Sequence, residues 1–245
     1  MPRTARIAPG GLIYHVLNRG VGRQALFDDP ADFDAFLRVL ADVLAAEPVR
    51  VLGFCVMGNH WHLVLWPRRD GELARFMQRL TVTHVRRWVE HRRRVGWGSV
   101  YQGRYKSFAV QDDRHLLTVL RYVERNPLRA GLVRRAEAWR WSSLGQRHGS
   151  GGGDQAAGTG GAGGPIVAPL IPIAPWPVAR RRDWVEWVNG PQTAKEEAAV
   201  QRSLAHDRPF GSDPWVAATE AKLGLGPLRP RGRPKGTTKR PEVTS

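Results

Sequence analysis

The chain has 245 residues, 42% of them hydrophobic, enough for a core in one or two domains, and no apolar run approaches the roughly 18 residues of a membrane span. Lys and Arg number 38 against 22 Asp and Glu, a formal net charge of +16, and an imbalance of this size predicts a polyanionic partner, nucleic acid first. The single cysteine, Cys55, excludes an internal disulfide and a Cys-rich zinc site, and with no apolar leader behind Met1 the expected location is cytoplasmic, on the nucleoid.

In chain order, Gly11–Arg19 reads as a strand with Leu12, Tyr14 and Val16 on one face. Pro30–Ala46 is an amphipathic helix, with Phe33, Phe36, Leu37, Leu40 and Leu44 at helical spacing. Arg50–Met57 and His60–Trp66 are apolar strands joined by the hairpin signal Gly58-Asn59. Gly71–Arg94 is a long helix, Arg104–Gln111 a strand, and Asp112–Arg125 a helix opened by an Asp cap and stopped before Pro127. The order β-α-β-β-α-β predicts an α+β, ferredoxin-like core with an antiparallel four-stranded sheet and two helices on one face, followed by one added helix.

Residues 1–148 therefore read as one globular unit, and 149–178 as a linker, Gly-rich to 165 and Pro-rich from 169 to 177. Residues 179–225 carry short helical patterns at Arg180–Val188, Ala194–His206 and Pro214–Leu223, and 226–245 read as a basic disordered tail.

Chemistry concentrates at two places. On a strand, His60 and His62 point the same way while Trp61 points to the other face, which suits either two ligands of one metal ion or a hydrogen-bonded histidine pair. On a helix, Tyr122 and Asn126 share a face; the phenol could attack phosphorus and the amide oxygen suits Mg²⁺ or Mn²⁺. The plainer reading of that pair is a packed Tyr and an Asn that closes the helix before Pro127. Arg86, Arg87, Arg92, Arg93 and Arg94, with one Glu among them, suggest phosphate binding, or a solvated helix end favoured by the dipole. Arg231 and Arg233 lie in an Arg-Gly-Arg-Pro run that resembles an AT-hook, a minor-groove element. Trp139 and Trp141 suit core packing better than base stacking.

The segments Tyr14-His15-Val16-Leu17-Asn18-Arg19-Gly20, Gly58-Asn59-His60-Trp61-His62-Leu63-Val64, Tyr101-Gln102-Gly103-Arg104-Tyr105-Lys106-Ser107, and Tyr122 through Asn126-Pro127-Leu128-Arg129 together resemble the HUH single-tyrosine transposases. Within them the chain is most similar to the REP-associated tyrosine transposases, over about residues 5–148. The resemblance implies that Tyr122 cleaves single-stranded hairpin DNA and rejoins it through a 5′-phosphotyrosine, with Mg²⁺ or Mn²⁺ held by His60, His62 and Asn126. Asn126 stands where insertion-sequence relatives usually carry Gln, which shortens the reach by one methylene. Arg104 and Lys106 are candidates, on charge alone, for flanking phosphates. A monomer and a homodimer are both compatible with the sequence. Three other readings are a non-catalytic DNA-binding regulator, a replication or relaxase-type nuclease, and a zinc hydrolase with His15 or His115 as third ligand.

Overall fold

Asp29 accepts a hydrogen bond from the Asp32 amide, and Pro30 sits where no intrahelical N–H is needed, so α1 starts there and runs Pro30–Ala46. The computed structural model describes residues 7–148 and 169–227; the Gly-rich stretch 149–165 and the basic run with Arg231 and Arg233 lie outside the described residues. The other elements of the core are β1 (Ile13–Arg19), β2 (Arg50–Met57), β3 (His60–Trp66), α2 (Glu72–His91), β4 (Lys106–Val110) and α3 (Arg114–Arg129). The sheet order is β2-β3-β1-β4, and each adjacent pair is antiparallel. This is the expected ferredoxin-like split of β1 and β2 by β3.

Strand alternation sends the two faces to different partners. Tyr14, Val16, Phe54, Val56, Trp61, Leu63 and Leu65 pack beneath α1 and α2. Ile13, Cys55, Met57, Val64, Phe108 and Val110 face α3, which closes the opposite side. The register of β2 slips at Leu52, and a Cβ on Gly53 would lie 2.6 Å from Leu120 of α3, so this bulge lets the helix come close.

Two features depart from the sequence expectation. Helix α3 does not stop before Pro127 but runs through it to Arg129. Proline removes the amide that would bond the Val123 carbonyl; the Asn126 side chain supplies the donor, bonding Tyr122 O at 3.0 Å and Val123 O at 3.4 Å. The second departure is the C-terminal arm, which packs against the core from residue 169 rather than from a linker ending at 178. Ile171 is buried, Ala174 N donates to Val51 O, and Trp176 Nε1 donates to Leu52 O.

Helices α4 (Ser143–His148), α5 (Trp184–Asn189) and α6 (Ala194–His206) lie on the α3 side, and α7 (Asp213–Lys222) follows. The edges of the sheet are covered by this arm: Ile173 bridges Val51 at the β2 edge, and Phe210 bridges Val110 at the β4 edge. Helix α3 itself is held through three of its side chains. Arg121 donates to the Gly190 and Pro191 carbonyls, Arg125 to those of Val188 and Asn189, and the buried Glu124 accepts from Trp184 Nε1, Ser143 and Arg147. Among the described residues no helix is long and apolar enough to cross a membrane.

Candidate active site

The β1–β3 register sets Arg19 across from His60 and Leu17 across from His62, beneath α3. The His60 and His62 rings stand edge to face, centroids 5.0 Å apart. His60 Nδ1 lies 2.6 Å from Asn59 Oδ1, so the proton resides on Nδ1 and the Nε2 lone pair is left outward. His62 is buried, and its Nδ1 lies 2.8 Å from Nε2 of the equally buried His15, the two rings stacked 5.0 Å apart. Either tautomer satisfies that contact, but only His62 donating from Nδ1 leaves its Nε2 able to bind a cation.

Burial holds these imidazoles neutral, the form a metal ligand needs. His15 is lowered to about 3 by burial. His60 is lowered to about 4 by burial, then by the positive charges of Arg19 and Arg129. His62 is pushed well below its ordinary 6.5, first by burial and then by its histidine and arginine neighbours.

Helix α3 lays Tyr122 over this group, with its ring edge-on to His62 at 5.9 Å and to His15 at 6.4 Å. The Arg129 guanidinium sits 5.0 Å from the Tyr122 ring centroid and donates to Asn126 Oδ1 at 2.9 Å. Tyr122, Asn126 and Arg129 are spaced i, i+4 and i+7, so one helix face carries all three. The amide of Asn126 is thus bonded at both ends, but its oxygen retains a second lone pair; an amide oxygen and two neutral imidazole nitrogens are donor types that a hard divalent cation accepts. No group of three or more His, Cys, Asp or Glu among the described residues is placed to hold a metal. His15 stands behind His62, and His115 pairs with Asp113 at 2.7 Å against Phe210, so neither completes the three-ligand zinc set.

The arginine cluster divides. Arg92 is tied to Asp28 and, at 2.6 Å, to Asp32, which joins α2 to the start of α1. Arg87 pairs with Asp42 at 3.0 Å and Arg86 with Glu90 at 3.1 Å. Arg93 turns out of the helix at φ 51°, and Arg94 stacks on Trp88 and Trp97. Lys106 donates to the Leu204 and Ala205 carbonyls near the end of α6. Trp139 and Trp141 bond Val56 O and Asp34 within the core, as expected.

Arg19 and Arg129 carried no role in the sequence reading, and His15 entered it only as a possible third zinc ligand, its place behind His62 being visible only through the strand register. Arg19, whose Nε is buried without a hydrogen-bond partner, likewise emerges from its place opposite His60. Arg129 had a readable signal, the i+7 spacing from Tyr122.

Residues 10–126 match the family described as "Transposase IS200 like". No curated protein matches the sequence. Among solved structures, the "REP associates tyrosine transposase bound to a REP hairpin" superposes with a TM-score of 0.49 at 16% identity, covering 71% of this chain and 100% of that one. A crystal structure from Deinococcus radiodurans assigned to the transposases gives 0.37 at 20% identity, covering 50% of this chain and 96% of the other.

Proposed function

We propose, from the match of residues 10–126 to the IS200-like transposase family, that the chain is a DNA nickase and strand transferase of the REP-associated branch, acting on single-stranded hairpin DNA with Tyr122 as nucleophile. The observation that carries this is the placement of Tyr122 edge-on to His62, 5.9 Å between ring centroids, within one chain. A packed structural tyrosine would have no chemical need for two neutral histidines and two arginines around it.

In the proposed step the Tyr122 oxygen attacks a backbone phosphorus. The new O–P bond replaces the bond to the 3′ oxygen; the phenol proton leaves to solvent and the departing 3′ oxygen takes one up. The product is a 5′-phosphotyrosine and a free 3′-OH, and reversal rejoins strands without an external energy source. A divalent cation, Mg²⁺ or Mn²⁺, held by His60, His62 and Asn126, would act as a Lewis acid on the scissile phosphate. Arg129, above the tyrosine ring, offsets charge on the attacking oxygen, and the unpartnered Arg19 Nε–H offers a donor to a phosphate oxygen. His15 fixes the His62 ring from behind. Because the arm holds α3 against its own sheet, one chain can assemble the site.

The test is covalent capture. A labelled single-stranded hairpin with unpaired flanks, incubated with protein and Mg²⁺, should give a denaturation-resistant adduct. Tyr122→Phe, His60→Ala or EDTA should each abolish it. An adduct that survives in Tyr122→Phe refutes the nucleophile, and one that survives EDTA refutes the metal.

A further inference from the structure

On the sheet face away from Tyr122, α1 and α2 leave a cavity of about 260 Å³ between them. Protein interiors hold few voids larger than a water molecule, so a space of this size between two packed helices calls for an occupant. Its apolar walls are Phe27, Phe36, Val39 and Trp88. The walls are themselves held in place. Phe27 and Phe36 stand edge to face at 5.3 Å, and Trp88 Nε1 donates to Leu26 O at 2.8 Å.

Two polar groups of the lining are left for a ligand. The first is on His84, whose Nδ1 lies 2.7 Å from the Tyr101 hydroxyl; that hydroxyl also accepts from Trp61 Nε1 at 3.0 Å. An indole N–H only donates, so the phenol's own hydrogen goes to His84 Nδ1, and the neutral imidazole carries its proton on Nε2. Burial, and after it the charge of Arg92, lowers His84 to about 3 and keeps it neutral. The second is Arg38. Its Nη1 is buried without a hydrogen-bond partner, and among the described residues its guanidinium has no ion pair. A buried donor of this kind is rare and costly unless something binds it. The other Asp and Arg of the lining are already engaged: Asp32 holds Arg92 at 2.6 Å, and Arg87 pairs with Asp42 at 3.0 Å.

We propose that this cavity binds a small planar aromatic carboxylate, its ring among Phe27, Phe36 and Trp88, its charge on Arg38, and an acceptor oxygen on His84 Nε2–H. One unpaired guanidinium matches one negative charge, and its flat fork matches a carboxylate. A phosphate dianion would bring a second charge toward Asp32, with no second unpaired arginine on the lining to meet it. A hydrocarbon or an alcohol would leave Arg38 without its counter-charge. Aromatic walls favour a ring, which packs on them by face or edge. The hydrogen bonds from His84 run through Tyr101 to Trp61, which lies between His60 and His62, so the cavity is tied to the strand that carries the histidines. The inference goes beyond the nuclease reading and does not depend on it.

The experiment uses the full chain and 1-naphthoate, with 1-naphthalenemethanol as its uncharged match. Titration calorimetry should show a single saturable site for the acid, and proton–nitrogen NMR should show the His84 Nε2–H and Trp61 indole signals moving with it. Arg38 has no ion pair to lose, so Arg38→Gln should fold. That variant should weaken the acid by about 10-fold or more, the size of one hydrogen bond to a charged group, and leave the alcohol unchanged. Wild type should prefer the acid to the alcohol by a similar factor, and the variant should bind the two alike. No saturable binding of the acid, or equal affinity in Arg38→Gln, overturns the site. Movement of the same NMR signals by inorganic phosphate at the same concentration overturns the carboxylate assignment. Adduct formation tests the nuclease reading separately, and neither result touches it.

Discussion

Trp184 offers the sharpest test of whether the C-terminal arm is part of the catalytic fold. Its side chain is 1% exposed, lies 4.8 Å from Trp176 and 5.2 Å from Trp187 between ring centroids, and donates to the buried Glu124 at 2.8 Å. Trp→Ala at such a site costs about 3–5 kcal/mol in lost packing. The missing donor to a buried carboxylate adds about 1–3 kcal/mol, kept toward the low end because Ser143 and Arg147 still serve Glu124. The sum, about 4–8 kcal/mol, compares with a whole-domain stability of about 5–15 kcal/mol. Trp184→Phe keeps most of the ring and should lose only about 1–3 kcal/mol. Urea unfolding followed by far-UV circular dichroism gives both values, with an unchanged slope expected for the Phe variant. Adduct formation in Trp184→Ala should fall with the folded fraction, because α3 carries Tyr122. If Trp184→Ala stays within about 1 kcal/mol of wild type, the arm is not coupled to α3 and the argument fails.

Four further outcomes follow. His15→Ala should weaken Mn²⁺ binding about 10–100-fold, as loss of an orienting partner does, read by electron paramagnetic resonance without DNA; equal affinity would remove His15 from the site. The folded chain holds His15 near 3 and His60 near 4 against an ordinary 6.5, so the unfolded chain binds more protons between those values; stability should be full above about pH 6.5 and fall as pH drops toward 4, and a flat Tm from pH 7 to 4 would contradict this. Arg129→Met should slow adduct formation by about 10²–10³-fold, the usual cost of one charge-stabilising group, with little change in strand affinity; a parallel loss of affinity would make it a binding residue. Replacing Arg231 and Arg233 together by Gln should lower the salt slope of duplex binding by about 0.9 per lost phosphate contact, and an unchanged slope would separate that segment from DNA.

Much of the core could be read from local signals. The spacing of Phe33, Phe36, Leu37, Leu40 and Leu44 marked α1, and Gly58-Asn59 the hairpin that joins β2 to β3. Thr193 with Glu196 closes a capping box at the head of α6, whose span was also legible. What escaped depended on contacts distant in sequence. Pro127 stops a helix unless a side chain replaces its amide, and nothing local shows that Asn126 does so. Arg87 and Arg92 looked free because their partners lie far off in sequence, Asp32 and Asp42 on α1 and Asp28 just before it. The arm read as separate because its short apolar runs have their complement on α3. At the site, the His60–His62 pair was visible by alternation alone, whereas His15 and Arg19 required the strand register.

The clamp on α3 also concerns the order of synthesis. Tyr122, His60 and His62 emerge early, but the carbonyls and indole that hold Arg121, Glu124 and Arg125 arrive between Trp184 and Pro191. At about 5–20 residues per second, the ribosome takes roughly 3–12 s to cover that gap. During this interval Tyr122 rides on a helix whose buried face awaits its cover, so a chain halted before residue 184 holds Tyr122, His60 and His62 yet not the brace that aligns them. On the proposed function, competence to cut DNA would thereby wait for synthesis through Pro191, and a chain halted before that point would carry Tyr122 on an unbraced helix.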